Sequence, residues 1–133
     1  MENHLPKKTE SILTSSHSRQ ELGQRGEDIA CHYLEQKGYK IIARRFRYHR
    51  AEIDIIARKG SVLVFIEVKT RRHDEFGYPE ESVRKAKKDK LREAALGFLS
   101  EKRERSSEYR FDILSILLKS EREYEIAHFE DVF

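Results

Sequence analysis

The chain holds only one cysteine, Cys31, in 133 residues. One thiol rules out an internal disulfide and any CxxC metal site, and it fits a reducing compartment. The six histidines are scattered without zinc-ligand spacing. Long hydrophobic runs are missing as well: the longest spans Val62 to Ile66, far short of a membrane-crossing segment. Met1 to Ser16 lacks the apolar stretch of a secretory leader, so neither export nor membrane attachment is expected, and the cytoplasm is the expected location. Proline is scarce, at Pro6 and Pro79. Without disulfide, zinc or bilayer, stability must come from a buried core, and this length suffices for one.

What the chain has is charge. Asp, Glu, Lys and Arg make up 38% of it, with a net charge of +3, a pI near 9.0 and a mean hydropathy of −0.79. The distribution says more than the total. Between Lys37 and Arg72 stand eleven Lys and Arg against three acids, Glu52, Asp54 and Glu67, a local net of +8. Arg44, Arg45, Arg47 and Arg50 precede the acids and Arg71 and Arg72 follow them. Basic residues flanking a small acidic pocket suit a phosphate backbone laid over a cation site. The plainer alternative is a solvated charged surface. Tyr48, Phe76 and Tyr78 read as fillers of core edges, with base stacking as the alternative.

Residues 1–17 are polar and aperiodic and are expected to be a disordered arm, with one domain over 18–133. Ser18-Arg19-Gln20-Glu21 forms a capping box, and Gly38 is a suitable stop, so a helix is expected between them. Strand-like runs follow at Tyr39–Phe46, Ala51–Arg58 and Ser61–Thr70. A second helix is expected from about Pro79 to Arg103, along the apolar line Val83, Leu91, Ala94, Ala95, Phe98 and Leu99. Two further strands fit Tyr109–Leu118 and Glu123–Phe129. The order α-β-β-β-α-β-β predicts an α/β fold with a mixed central sheet flanked by helices.

Chemistry concentrates in Glu52-Ile53-Asp54-Ile55-Ile56 and Phe65-Ile66-Glu67-Val68-Lys69. With Lys59-Gly60 as a two-residue turn, paired positions sum to 119 and Glu52 opposes Glu67. Strand alternation then puts Asp54, Glu67 and Lys69 on one face, with Asp54 diagonal to Glu67. A wet sheet face would also explain alternating charge. Yet the same face carries Ile56, Leu63 and Phe65, and clustered carboxylates repel unless a cation joins them. Magnesium (or manganese) takes oxygen ligands, commonly one or two carboxylates plus waters and phosphate oxygens. Asp54 and Glu67 supply that pair, the Val68 backbone carbonyl could add a third oxygen, and Lys69 could assist an attacking water or the scissile phosphate.

Asp54 followed by Glu67-Val68-Lys69 resembles the PD-(D/E)xK site of restriction-endonuclease-like proteins. Gly26-Glu27, Glu52-Ile53-Asp54, Phe65 through Arg71, Phe76-Gly77 and Arg110-Phe111-Asp112 together resemble the YraN-like family of uncharacterised bacterial proteins, over roughly residues 19–129. Ala51 stands where that family usually has glycine. The resemblance implies a nuclease-like core akin to Holliday-junction resolvases. It also implies Glu27 as a helix-borne acid that completes the cation cluster or holds Lys69. Lys87, which on periodicity alone reads as a snorkelling stem, becomes by resemblance a second basic group facing the phosphate. The expected function is a magnesium-dependent endonuclease on nucleic acid, DNA in the first instance. A symmetric junction as substrate would require a homodimer. A non-catalytic nucleic-acid-binding or assembly module keeping the same fold is the competing expectation.

Overall fold

The computed structural model describes residues 19–73, 85–102 and 105–133. Helix α1 (Arg19–Gln36) leads into strands β1 (Lys40–Tyr48), β2 (Ala51–Lys59) and β3 (Val62–Arg72). Helix α2 (Lys85–Lys102) and strands β4 (Glu108–Leu118) and β5 (Tyr124–Phe129) complete the order. The expected order therefore holds. The polar arm, the Ser18 cap and the stretch from Pro79 to Arg84 lie outside the described residues.

The five strands form one mixed sheet in the order β1-β2-β3-β4-β5. The pair β3–β4 is parallel and the other neighbours are antiparallel. Helix α2 lies in the β3–β4 connection, as a parallel pair requires a crossover. One helix covers each face. Ile29, Ala30, Cys31 and Leu34 of α1 pack on Ile55, Ala57, Val64, Ile66, Leu114 and Ile116. On the opposite face Leu91, Ala94, Ala95 and Phe98 of α2 pack on Ile53, Ile56, Leu63 and Phe65.

Local chemistry sets the joints. Helix α1 ends where Gly38 adopts a φ of 93°. Tyr39 N–H donates to the Leu34 carbonyl at 2.9 Å and Gly38 N–H to that of Glu35 at 3.0 Å, a glycine-terminated helix end that satisfies orphan carbonyls. Gly26 lies directly on Thr70 of β3, with no room for a Cβ between them. The β2–β3 turn departs from expectation: Lys59 pairs with Val62, so Gly60 and Ser61 make the turn. Gly60, at a φ of 60°, is the residue that tolerates that left-handed conformation. Paired positions thus sum to 121 instead of 119, and Glu52 is not the partner of Glu67.

Candidate functional site

The β2–β3 ladder stops short of the strands' full length. Its last pair is Ile55 with Ile66. Beyond it, Glu52 of β2 stays with Arg47 of β1, while Glu67 through Arg72 of β3 stay with β4. The two strands part, and Asp54 and Glu67 are the first residues past the fork. A cavity of about 450 Å³ opens there, with Glu27, Glu52, Asp54 and Glu67 on its wall. Arg19, Arg50, Lys87 and Lys90 also line it. The fork brings Asp54 and Glu67 into one cavity by a different register from the one expected.

Strand alternation also breaks at the fork. Ile53 and Ile56 both belong to the α2-side core, whereas Ile55 belongs to the α1-side core. A regular strand would put Ile53 and Ile55 together. Asp54 is therefore turned out of the pleat, correcting the expectation of one unbroken face. Its Oδ2 accepts a hydrogen bond from Val68 N–H at 2.8 Å. The carboxylate thus occupies the place of a missing ladder acceptor. In an extended strand the N–H and C=O of one residue point to the same side, so the Val68 carbonyl borders the same fork.

Burial, and then the nearby Glu67 carboxylate, push Asp54 up to about 7 despite the Val68 bond. Glu67 is 8% exposed and holds two ammonium groups on one oxygen. Lys87 Nζ lies 2.5 Å from its Oε2 and Lys69 Nζ lies 3.7 Å from it. Burial, and then the Lys87 charge, lower Lys69. Burial pulls on Lys87 in the same direction, but its bond to Glu67 prevails and raises it. A buried carboxylate, a lysine that gives up its proton more readily and a second lysine that keeps its own therefore meet on one side chain.

The remaining sequence candidates divide. Glu27 lines the cavity, but its carboxylate is engaged by Arg44 at 3.3 Å and Arg45 at 3.0 Å. Arg44 also reaches Asp28 at 3.0 Å, and Arg45 reaches Gln24. These two arginines, expected over a phosphate, are turned to the acids of α1. Arg47 is 79% exposed and touches Glu52 at 3.5 Å, leaving most of its guanidinium in solvent. Arg71 and Arg72 continue β3 past the fork and are partly buried. Phe76 and Tyr78 lie outside the described residues. Among the described residues no three Asp, Glu, His or Cys side chains are disposed to hold a metal ion. Two carboxylates and a carbonyl are, however, a donor set that magnesium uses. Asp54 keeps Oδ1 clear of the Val68 bond, so hard oxygen donors for such an ion are present.

Sequence reasoning gave no role to a second polar cluster. Asp112, 1% exposed, accepts from Arg110 Nε and Nη2, both at 2.9 Å. It also meets His128 Nε2 at 2.7 Å and the Asp131 N–H at 2.9 Å. Tyr33 contacts His128 Nδ1 at 3.2 Å, and Arg110 donates to the Tyr39 hydroxyl at 2.8 Å. The cluster ties β4, β5 and α1 together. An arginine and an aspartate two apart on a strand share a face, which was the available signal.

Comparison with known proteins places the chain among relatives of similar sequence. A family model described as Uncharacterised protein family UPF0102 matches residues 26–116, which takes in Glu27, Asp54, Glu67, Lys69 and Lys87. A UPF0102 protein of Chlorobaculum parvum is 45% identical over 122 residues, covering 88% of this chain and 95% of the relative. One from Geobacter sulfurreducens is 42% identical over 118 residues, covering 89% and 92%. One from Dictyoglomus turgidum is 42% identical over 106 residues, covering 80% and 90%.

Proposed function

The chain belongs to the uncharacterised protein family UPF0102, and we propose that it is a magnesium- or manganese-dependent endonuclease hydrolysing phosphodiester bonds in nucleic acid, DNA first. The observation that carries this reading is the fork, where Asp54 and Glu67 flank the parting strands and two lysines converge on Glu67. Asp54, Glu67 and the Val68 carbonyl would hold the cation, which supplies Lewis-acid activation and neutralises phosphate charge. The chain's own groups do the rest. Lys69, with its proton loosened by burial and Lys87 and its ammonium 3.7 Å from Glu67, would exchange a proton with the attacking water. Lys87, which retains its proton, is placed to balance charge growing on the phosphate. Arg50 on the cavity wall and the exposed Arg47 would provide sequence-independent attraction to the backbone.

The Lys87–Glu67 pair at 2.5 Å favours one alternative. A carboxylate neutralised from within needs no metal, as in a non-catalytic nucleic-acid-binding module of the same fold. Cleavage of single-stranded, duplex, flap and four-way DNA, with magnesium and with chelator, separates the two. The nuclease reading expects metal-dependent cutting that Asp54→Asn and Lys69→Ala abolish, with binding in chelator intact and weakened by salt. Binding of these DNAs in chelator, with no cutting of any of them in magnesium, would establish the binding module.

A further inference from the structure

Arg45 has a φ of 52° within β1, in the left-handed region that a non-glycine residue enters only at a cost. Its place in the sheet gives that conformation a purpose. Arg44 pairs with Ile55 and Phe46 with Ile53, so Arg45 faces Asp54. Alternation fails at both members of this facing pair. Arg44 and Arg45 both reach acids of α1, and Phe46 then packs edge-on against Phe98 of α2 at 5.2 Å. On β2 the break falls between Ile53 and Ile55, at Asp54. Each strand turns one residue out of the pleat at the same level. Because both do so, the pairing keeps one register, Ala43 with Ile56 through Tyr48 with Ala51.

We propose that Arg45 is a positioning residue: its left-handed backbone is the matching irregularity that lets Asp54 leave the pleat and aim its carboxylate across the fork at Val68. If β1 were regular, alternation would swap Phe46 out of the α2-side core or break the ladder. Both neighbours of Asp54 are locked in place, with Ile53 1% and Ile55 0% exposed. The concession therefore falls on β1. The arginine side chain uses the same conformation to reach Glu27 at 3.0 Å. The consequence for cation binding rests on the reading of the site given above, whereas the placement of Asp54 does not.

The test is a series at one position, Arg45→Gly, Arg45→Asn, Arg45→Ala and Arg45→Val. All four lose the guanidinium and differ in tolerance of a left-handed backbone. The metal-free readout is hydrogen exchange of the Val68 amide, which donates to Asp54, normalised to the Leu114 amide in the core. Normalisation removes any general loss of stability. Val68 exchange should be at least about tenfold faster in Arg45→Val than in Arg45→Gly, with Asn near Gly and Ala between. Magnesium affinity by calorimetry should fall in the same order. Equal Val68 exchange across the series would overturn the proposal, and if the valine variant does not fold, the comparison of Ala with Gly decides. A graded Val68 response in a protein that binds no magnesium would sink the metal-site reading and leave the positioning role standing.

Discussion

Replacing Asp54 by asparagine should stabilise the metal-free protein, and the gain should depend on pH in a defined direction. Burial and the Glu67 charge raise this carboxyl from 3.8 to about 7. In the window between those values the native state holds a proton that the unfolded chain has released, so native stability falls as pH rises through it. About 3 units at 1.36 kcal/mol each set a limit of about 4 kcal/mol, reached above about pH 8. Asparagine must still bury an amide, which costs about 1–2 kcal/mol, while its carbonyl can accept the Val68 N–H. The net gain at pH 8 is about 2 kcal/mol, or roughly 8 °C in Tm for a domain of this size. At pH 4 the wild-type carboxyl is largely protonated, so the gain should vanish or reverse sign. The assay is thermal unfolding in chelator at pH 4, 6 and 8 for both proteins. An equal Tm difference at pH 4 and pH 8 would refute the claim that Asp54 is held as a strained carboxylate.

Lys87→Met keeps the stem's packing but removes the ammonium 2.5 Å from Glu67; magnesium should bind more tightly by calorimetry while cleavage falls, and unchanged values for both would reduce Lys87 to a surface lysine. Gly26→Ala should cost about 1–3 kcal/mol in urea unfolding, because the added methyl collides with Thr70, and Thr70→Ala in the same chain should recover part of the loss. Arg110→Ala should cost about 3 kcal/mol by leaving the Asp112 charge under-satisfied. Against the upward push of burial, bonds from His128, Arg110 and the Asp131 amide hold Asp112 low. Its stabilisation is therefore present at neutral pH and lost in strong acid, so the urea midpoints of wild type and Arg110→Ala should converge as pH falls below the ordinary carboxylate range.

Local signals carried the order of elements, and long-range geometry carried what they missed. Gly38, the apolar line of α2 and the alternation of β3 each depend on residues a few positions apart, and each is legible in the sequence. The β2–β3 turn falls one residue later than expected because Gly60 takes the first turn position, where the left-handed φ is needed, and Lys59 stays in the ladder opposite Val62. A slip of two positions preserves parity, but the acids share a cavity because the ladder ends at Ile55–Ile66 and the two strands part there. The turn of Asp54 out of the pleat was illegible, since it depends on Arg45 in a neighbouring strand. The ion pairs of Arg44 and Arg45 depend on where α1 comes to rest, and no spacing along the chain encodes that. The clustering of charge between Lys37 and Arg72 was real in sequence and only partly an open basic surface in space.

The sheet's spatial order follows the chain order, and that has a consequence for how the protein folds. β1, β2 and β3 form a meander closed by two short turns, whereas β4 joins only after a crossover. Local pairings close first because they cost little loop entropy. The meander alone brings Asp54 and Glu67 to the fork, while the Lys87 ammonium arrives later with α2. During that interval two carboxylates approach with fewer counter-charges than in the native state. Folding should consequently run faster at mildly acidic pH or in millimolar magnesium, and the acceleration should disappear in Asp54→Asn, making the refolding rate a report on the order in which the site is assembled.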